Sequence, residues 1–552
     1  MKVDRLARWV LVLNWLLLTG MLAATQAGGA EPGQPQPKLH LVPMSDGIKL
    51  ATDVYLPSGE GPWPVVFLRG PYGRSGVRFL IPSTVRKGYA LVSQDVRGRG
   101  GSQGSPVIIF DDGGQGEHKD GHESLAWIAA QPWCNGKIGS MGGSALGITQ
   151  NMQAPGAPEA LSAQVVEVAC SDFYSQGAYQ GGVWRKELIE VWLEHTKLTE
   201  GNLAAFRAHP QYDDFWKLLN PSAVASQVHA PGIFIGGWYD IFVQGTIDSF
   251  VSIQHQGGER ARGNCRLILG PWAHGTFEEL KYPPESNQRP EAANPARYFE
   301  HFLSQVDNGV AKDEPVHYWV MGDPTDPDAA GNEWRRAADW PIPADEVAYY
   351  FHTDGGLRRN EKPASNDFRT YVFDPKNPVP SVGGQNLTIA KGPMDQRSVE
   401  ERPDVLLFTS KVLTEPREIT GRIRATLYVA SDCPDTDFTV KLCDVYPDGR
   451  SMLVCDGIQR AKFRQGCEQA VPLEPGKVTE ITVDLWSTSL VFNTGHRMRV
   501  AVSSSNSPRF EPNSNTGADA FDAERCRVAN NSVHLSAEHP SSIRLPEPRT
   551  GP

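Results

Sequence analysis

Beyond its first thirty residues the chain has no apolar run of the roughly 20 residues that a membrane-crossing helix needs. Nor does it have an excess of positive charge: 53 lysines and arginines stand against 64 aspartates and glutamates, a net charge of −11. That balance excludes nucleic acid as the partner, because phosphates require a basic surface. The eight cysteines include no close C-x-x-C pair, so a zinc site is not indicated. Neither a metal nor a cofactor is expected. There is also no internal repeat and no low-complexity block, which removes repeat architectures.

What remains is the composition of a globular protein, 40% hydrophobic and 21% charged. At 552 residues the chain is long enough for two or three domains. Lys2, Arg5 and Arg8 precede an almost wholly apolar run from Trp9 to Ala24. Small residues follow, with Thr25-Gln26-Ala27 or Gly28-Gly29-Ala30 as the cleavage site. This is the pattern of a secretory signal peptide over 1–30, which implies a secreted or periplasmic protein. An uncleaved anchor is the alternative; the run is short for a span and contains Asn14. No cysteine follows it closely, so a lipid anchor is unsupported. Export permits disulfides. Cys443 and Cys455 flank the turn Pro447-Asp448-Gly449 and could face each other on a hairpin, or stay as buried thiols.

Glu31 to Pro37 is a Pro- and Gly-rich spacer. Lys38–Pro43 and Ile48–Tyr55 flank Asp46-Gly47, so strand, tight turn and strand are expected. Continuous apolar runs at Pro64–Gly70 and Tyr89–Asp95 predict strands buried on both faces, with a helix at Ser83–Lys87 between them. A helix over Gly121–Gln131 leads to a strand at Gly136–Met141, and Leu161–Val168 is the next strand. Such alternation implies a mostly parallel sheet with crossovers. The aromatic-rich stretch 173–228 interrupts it, with helices expected at Arg185–Leu198 and Gly201–Ala208; it is expected to form a cap over the ligand-binding edge. The sheet resumes at Pro231–Asp240, followed by a helix at Thr246–Gln256 and a strand at Cys265–Trp272. After a helix near Pro295–Asn308, short β-branched and aromatic runs alternate with Asp/Pro/Gly turns. The expected fold is therefore α/β, with sheet segments 38–172 and 229–312 around the cap, then an all-β sandwich or jelly roll over 315–552.

Gly142-Gly143-Ser144-Ala145-Leu146-Gly147 sits between the expected strand at Gly136–Met141 and a helix at Ile148–Ala154. A serine on a sharp strand-to-helix turn is a nucleophile elbow, although the spacing here is G-x-S-x-x-G and not G-x-S-x-G. Glycines permit the strained turn and the close approach of strand to helix. The Ala145 N–H then opens a helix, where it can donate to a developing oxyanion. The simpler alternative is that Ser144 caps that helix. A serine nucleophile needs a base, and the base an orienting carboxylate, in the chain order Ser, Asp, His at strand ends. Asp240 and His274 each lie just past an expected strand, in that order. His255 is a rival base, but falls late in a helix.

Gly142–Gln150, Gly237-Trp238-Tyr239-Asp240 and Gly270-Pro271-Trp272-Ala273-His274 together resemble the CocE/NonD serine hydrolases, the cocaine esterase and X-Pro dipeptidyl peptidase group. Arg69-Gly70-Pro71-Tyr72, Gln94–Gly100, Gly495–Val500 and Ser503–Asn506 extend the resemblance along nearly the whole mature chain. The resemblance implies an α/β-hydrolase with a C-terminal jelly roll. It also implies roles: Ser144 as nucleophile, His274 as base, Asp240 as its orienter, and Tyr72 with the Ala145 N–H as oxyanion donors. The chain departs from the family in having Ala145 where tyrosine is frequent. Similar α-amino-acid ester hydrolases carry extra acids for a substrate ammonium, whereas here the apolar Ile241-Phe242-Val243 follows Asp240.

The function expected is hydrolysis of a small-molecule ester or amide through an acyl-enzyme, an esterase first. A dipeptidyl peptidase or a β-lactam acylase shares the chemistry, and a β-sandwich binding protein with an inactive hydrolase domain is the non-enzymatic alternative. Asp323 to Asp328 could hold calcium, but a solvated acidic loop is the simpler expectation.

Overall fold

The apolar runs of the first half become strands of one large sheet, and the alternation of strand and helix makes most of it parallel. In the computed structural model, which describes residues 35–549 apart from 107, 278 and 365, these strands are β1 (Lys38–Pro43), β2 (Lys49–Tyr55), β3 (Trp63–Gly70), β4 (Ala90–Asp95), β5 (Cys134–Gly143), β6 (Leu161–Glu167), β7 (Gly232–Tyr239), β8 (Arg266–Ala273), β9 (Val316–Val320) and β10 (Glu333–Ala337). The expected leader over 1–30 lies outside the described residues. The spatial order is β1-β2-β4-β3-β5-β6-β7-β8-β9-β10. From β4 across to β9 neighbouring strands are parallel, and antiparallel pairs close both ends. Strands β4, β6 and β7 are buried along their whole length, as sheets covered on both faces require.

Helices α1 (Asp120–Ala129), α2 (Ala145–Gln153), α5 (Val243–Gln256) and α6 (Pro295–Ser304) are the crossovers and covers. Between β6 and β7 lies the aromatic-rich segment. It begins with a π-helical turn at Phe173–Ala178 and a two-residue hairpin, then forms α3 (Lys186–Thr196), α4 (Thr199–Ala208) and shorter turns. Phe173, Phe206 and Trp216 pack ring on ring at its centre. The expected helix at Ser83–Lys87 is only a short 3₁₀ turn at Val85–Lys87, preceded by another at Arg74–Leu80.

The chain beyond residue 340 is a β-sandwich of a seven-stranded and a four-stranded sheet. Strands β9 and β10, beyond the expected boundary near 315, extend the first sheet instead. The physical cause is edge protection: β8 would otherwise expose its hydrogen-bonding edge, and all five residues of β9 are buried. The two parts share one apolar core that runs from Ile148 and Val166 to Phe408 and Val429. Backbone bonds join them directly, Met321 N–H to Ser489 C=O (3.1 Å) and Val491 N–H to Met321 C=O (2.8 Å).

All eight cysteines are free thiols. A bulge between Leu442 and Cys443 sets Cys443 opposite Leu453 and Cys455 opposite Leu442, so the hairpin does not bring the two thiols face to face. Asp323 points inward: its carboxylate lies 3.5 Å from His496, whose other ring nitrogen is 2.9 Å from Asp444. Asp326 and Asp328 are exposed, and the described residues hold no convergent acidic group for a metal.

Candidate active site

Strand β5 ends at Gly143 and α2 begins at Ala145, leaving Ser144 alone on the turn. Its backbone stands at φ +55°, ψ −126°, a conformation that costs a non-glycine residue about 1–3 kcal/mol. Bonds on both sides hold it there. The Ser144 N–H donates to Glu167 C=O at 3.0 Å, and its own C=O accepts from Gly147 and Ile148 N–H at 2.8 Å each. Two glycines allow the close approach: a Cβ on Gly142 would lie 2.6 Å from Leu146 Cβ, and one on Gly147 would lie 2.8 Å from Ala169 Cβ. That explains the spacing of the motif, since the glycine at 147 is where α2 meets the end of β6. Gln150 braces the turn from beneath. It accepts from Ser140 Oγ (2.9 Å) and donates to the carbonyls of Gly142 (3.1 Å) and Val165 (3.2 Å).

The Ser144 side chain makes no capping bond to α2. Its Oγ lies 3.0 Å from His274 Nε2, and His274 Nδ1 lies 2.8 Å from Asp240 Oδ2. Asp240 is fully buried on the turn after β7, and its other oxygen accepts the Phe242 N–H at 2.7 Å. His274 follows β8 directly, and the Phe242 ring stands edge-on against its imidazole. His255 lies elsewhere, on α5 near the surface, bonded to Asp339 at 2.9 Å.

Tyr72 follows β3, and its hydroxyl interacts with the Ser144 side chain. It accepts the indole N–H of Trp192 at 2.9 Å, which leaves its own O–H free to donate. Burial pushes the phenol up to about 12, against the opposing effect of the Trp192 and Ser144 hydrogen bonds, so it stays protonated at working pH. The Ala145 N–H belongs to the first turn of α2, where backbone donors have no partner within the helix. Ser144, His274 and Asp240 are therefore linked in one hydrogen-bonded chain, with the Tyr72 hydroxyl and the first N–H of α2 beside the serine, an arrangement that can add a serine oxygen to a carbonyl and hold the charge that forms.

Beside Ser144 opens an apolar slot of about 330 Å³, counted with its mouth. Phe110, Ile148, Phe173, Leu188, Trp192 and Leu387 are among its walls, and no lining residue carries a charge. Phe110, Trp192 and Leu387 did not stand out in the sequence. Phe110 is held at φ +78° with its ring stacked on Trp192 at 5.8 Å, a strained backbone that no local motif announces. Leu387 arrives from the C-terminal domain, nearly 250 positions from Ser144 and visible only once the chain is folded.

Residues 46–205 and 196–276 match the X-Pro dipeptidyl-peptidase (S15) family, and residues 308–544 match the X-Pro dipeptidyl-peptidase C-terminal non-catalytic domain. The chain is 33% identical to cocaine esterase from Rhodococcus sp., over 92% of this chain and 97% of that protein. An aminopeptidase from the marine sediment archaeon Thaumarchaeota archaeon has a TM-score of 0.79 at 24% identity, covering 95% of this chain and 98% of that one. An α-amino acid ester hydrolase gives a TM-score of 0.79 at 24% identity, covering 95% and 99%. At that identity the two structures speak for the fold alone. One-third identity across nearly the full length of both proteins carries more, and it places this chain in the cocaine esterase family of serine hydrolases.

Proposed function

We propose that the chain is an esterase acting on uncharged acyl groups, with Ser144 as nucleophile, His274 as its base and Asp240 as the orienter of the base. Ser144 Oγ attacks the ester carbonyl while His274 Nε2 takes its proton. The Tyr72 hydroxyl and the Ala145 N–H receive the oxyanion. The imidazolium returns the proton to the departing alcohol, and a water activated in the same way releases the acid. Cocaine esterase, the relative at 33% identity, supports ester chemistry.

The observation that carries the acyl preference is the uncharged slot. A substrate ammonium would need a carboxylate there, because a buried charge is costly unless paired. Glu187, the acid next to the lining residue Leu188 on the adjoining cap helix, is already occupied: it accepts the N–H groups of Leu387, Thr388 and Ile389 and the Thr388 hydroxyl. A panel of neutral p-nitrophenyl esters, amino-acid esters and X-Pro anilides tests this. Neutral esters should give the highest kcat/KM; faster turnover of an amino-acid ester or an X-Pro anilide would overturn it.

Export is proposed on the leader alone, a basic start followed by the apolar Trp9–Ala24. N-terminal sequencing of secreted protein tests it, with a start between residues 28 and 31 expected.

A further inference from the structure

Ten residues of the C-terminal domain, 383–392, form a closed loop against the site. Its ends pair through Gly384 and Gly392, each N–H bonded to the other's C=O at 2.8 and 2.9 Å. Asn386, fully buried, ties it from inside to Gly383 C=O (2.8 Å) and Ala390 C=O (2.7 Å). Glu187 holds its middle from the cap. Gly392 packs so closely on Phe277 that a Cβ there would lie 2.6 Å from that ring. From this braced loop Lys391 extends its ammonium to His274 C=O at 3.2 Å and to Leu387 C=O.

A part-buried lysine usually finds a carboxylate. Lys391 has no ion-pair partner among the described residues; Glu187 and Asp240 act on it only through space, and burial lowers its pKa. Its two acceptors are backbone carbonyls, and one belongs to His274 itself. His274 sits at the apex of a tight turn, with Gly275 N–H on Ala273 C=O at 2.7 Å, so this carbonyl is a handle on the ring's backbone.

We propose that Lys391 is a positioning residue which the C-terminal domain supplies to the hydrolytic site: its ammonium holds the His274 carbonyl, and its charge opposes protonation of the His274 ring. This rests on His274 being the base. The groups facing that ring are Asp240 and Ser144, with Tyr72 beyond Ser144, Arg185 near Asp240 and Glu187 near Lys391. Lys391 is the cation attached to His274's own backbone. Remove it, and the ring takes up a proton more readily.

The test compares Lys391→Met and Lys391→Arg in the full chain on one neutral ester, with active sites counted by fluorophosphonate titration and folding checked by thermal melt. For Lys391→Met the acid limb of kcat/KM should move to higher pH by about 0.5–1 unit. The plateau kcat should fall about tenfold with KM within about twofold. Lys391→Arg keeps the charge and should restore the acid limb. An unmoved acid limb in folded Lys391→Met, or the same shift in both variants, would overturn the proposal. His274→Ala separates the two levels. If it is inactive while Lys391→Met keeps the wild-type profile, only the role of Lys391 fails; if it retains wild-type turnover, the base assignment and this proposal fail together.

Discussion

Trp192 on the cap donates its indole N–H to the Tyr72 hydroxyl at 2.9 Å, across 120 positions of sequence, so the cap aims the phenol that faces Ser144. Removing the phenolic O–H by Tyr72→Phe should lower kcat by about 10²–10³, or about 2.7–4 kcal/mol. Trp192→Phe should cost less, and almost nothing further in a Tyr72→Phe background, because the two act through one bond. Steady-state kinetics of the three variants check this; a change confined to KM would make Tyr72 a binding group only.

Gln150 joins Ser140, Gly142 and Val165 beneath the strained turn. Gln150→Leu should leave buried polar groups unsatisfied and destabilise the fold by about 1–3 kcal/mol. Chemical denaturation measures the loss. Equal stability with unchanged kcat would mean that the turn holds itself.

The cap also meets the β-domain through Arg207, which bonds Glu511 at 2.7 and 2.8 Å and Glu190 at 2.6 Å. Burial pushes the Glu511 carboxyl up, but the Arg207 guanidinium and the Phe521 N–H outweigh it, so its pKa is lowered. A carboxylate lowered on folding stabilises above its unfolded pKa, about 4.3, and that contribution disappears as pH falls through the folded value. Glu511→Gln should therefore melt lower than wild type at neutral pH, with the difference shrinking below about pH 4. A pH-independent difference in Tm would contradict the assignment.

A chain ending near Asn308 should be insoluble or inactive. It would lose β9 and β10 from the sheet edge, Trp319 C=O from its 2.7 Å bond with the Trp238 indole, and Leu387 from the slot. Exposed strand edges and apolar faces of that size promote aggregation. Solubility and kcat/KM of the truncated protein decide; a soluble fragment with full activity would make the β-domain an independent module.

Asp240 and His274 are legible as candidates because each follows a buried, mostly apolar parallel strand. Ser144 is legible through its glycine-flanked turn, since the strand before it, CNGKIGSMGG, is only partly buried and not an apolar run. Tyr72 was legible only through the family resemblance. Phe110, Trp192, Leu387 and Lys391 were not legible, because their importance comes from where distant loops meet and not from any local spacing. The role of β9 was hidden for a related reason. Val316-His317-Tyr318-Trp319-Val320 reads equally well as a strand of either domain, and only the open edge of β8 decides between them.

If Ser144 carries the acyl group, Ser144→Ala removes the only atom that can hold it. With the protein pure and its melting temperature unchanged, kcat on a neutral p-nitrophenyl ester should drop by about 10⁶, and fluorophosphonate labelling should vanish. Substantial residual turnover, or labelling that persists at wild-type level in the folded variant, would contradict it.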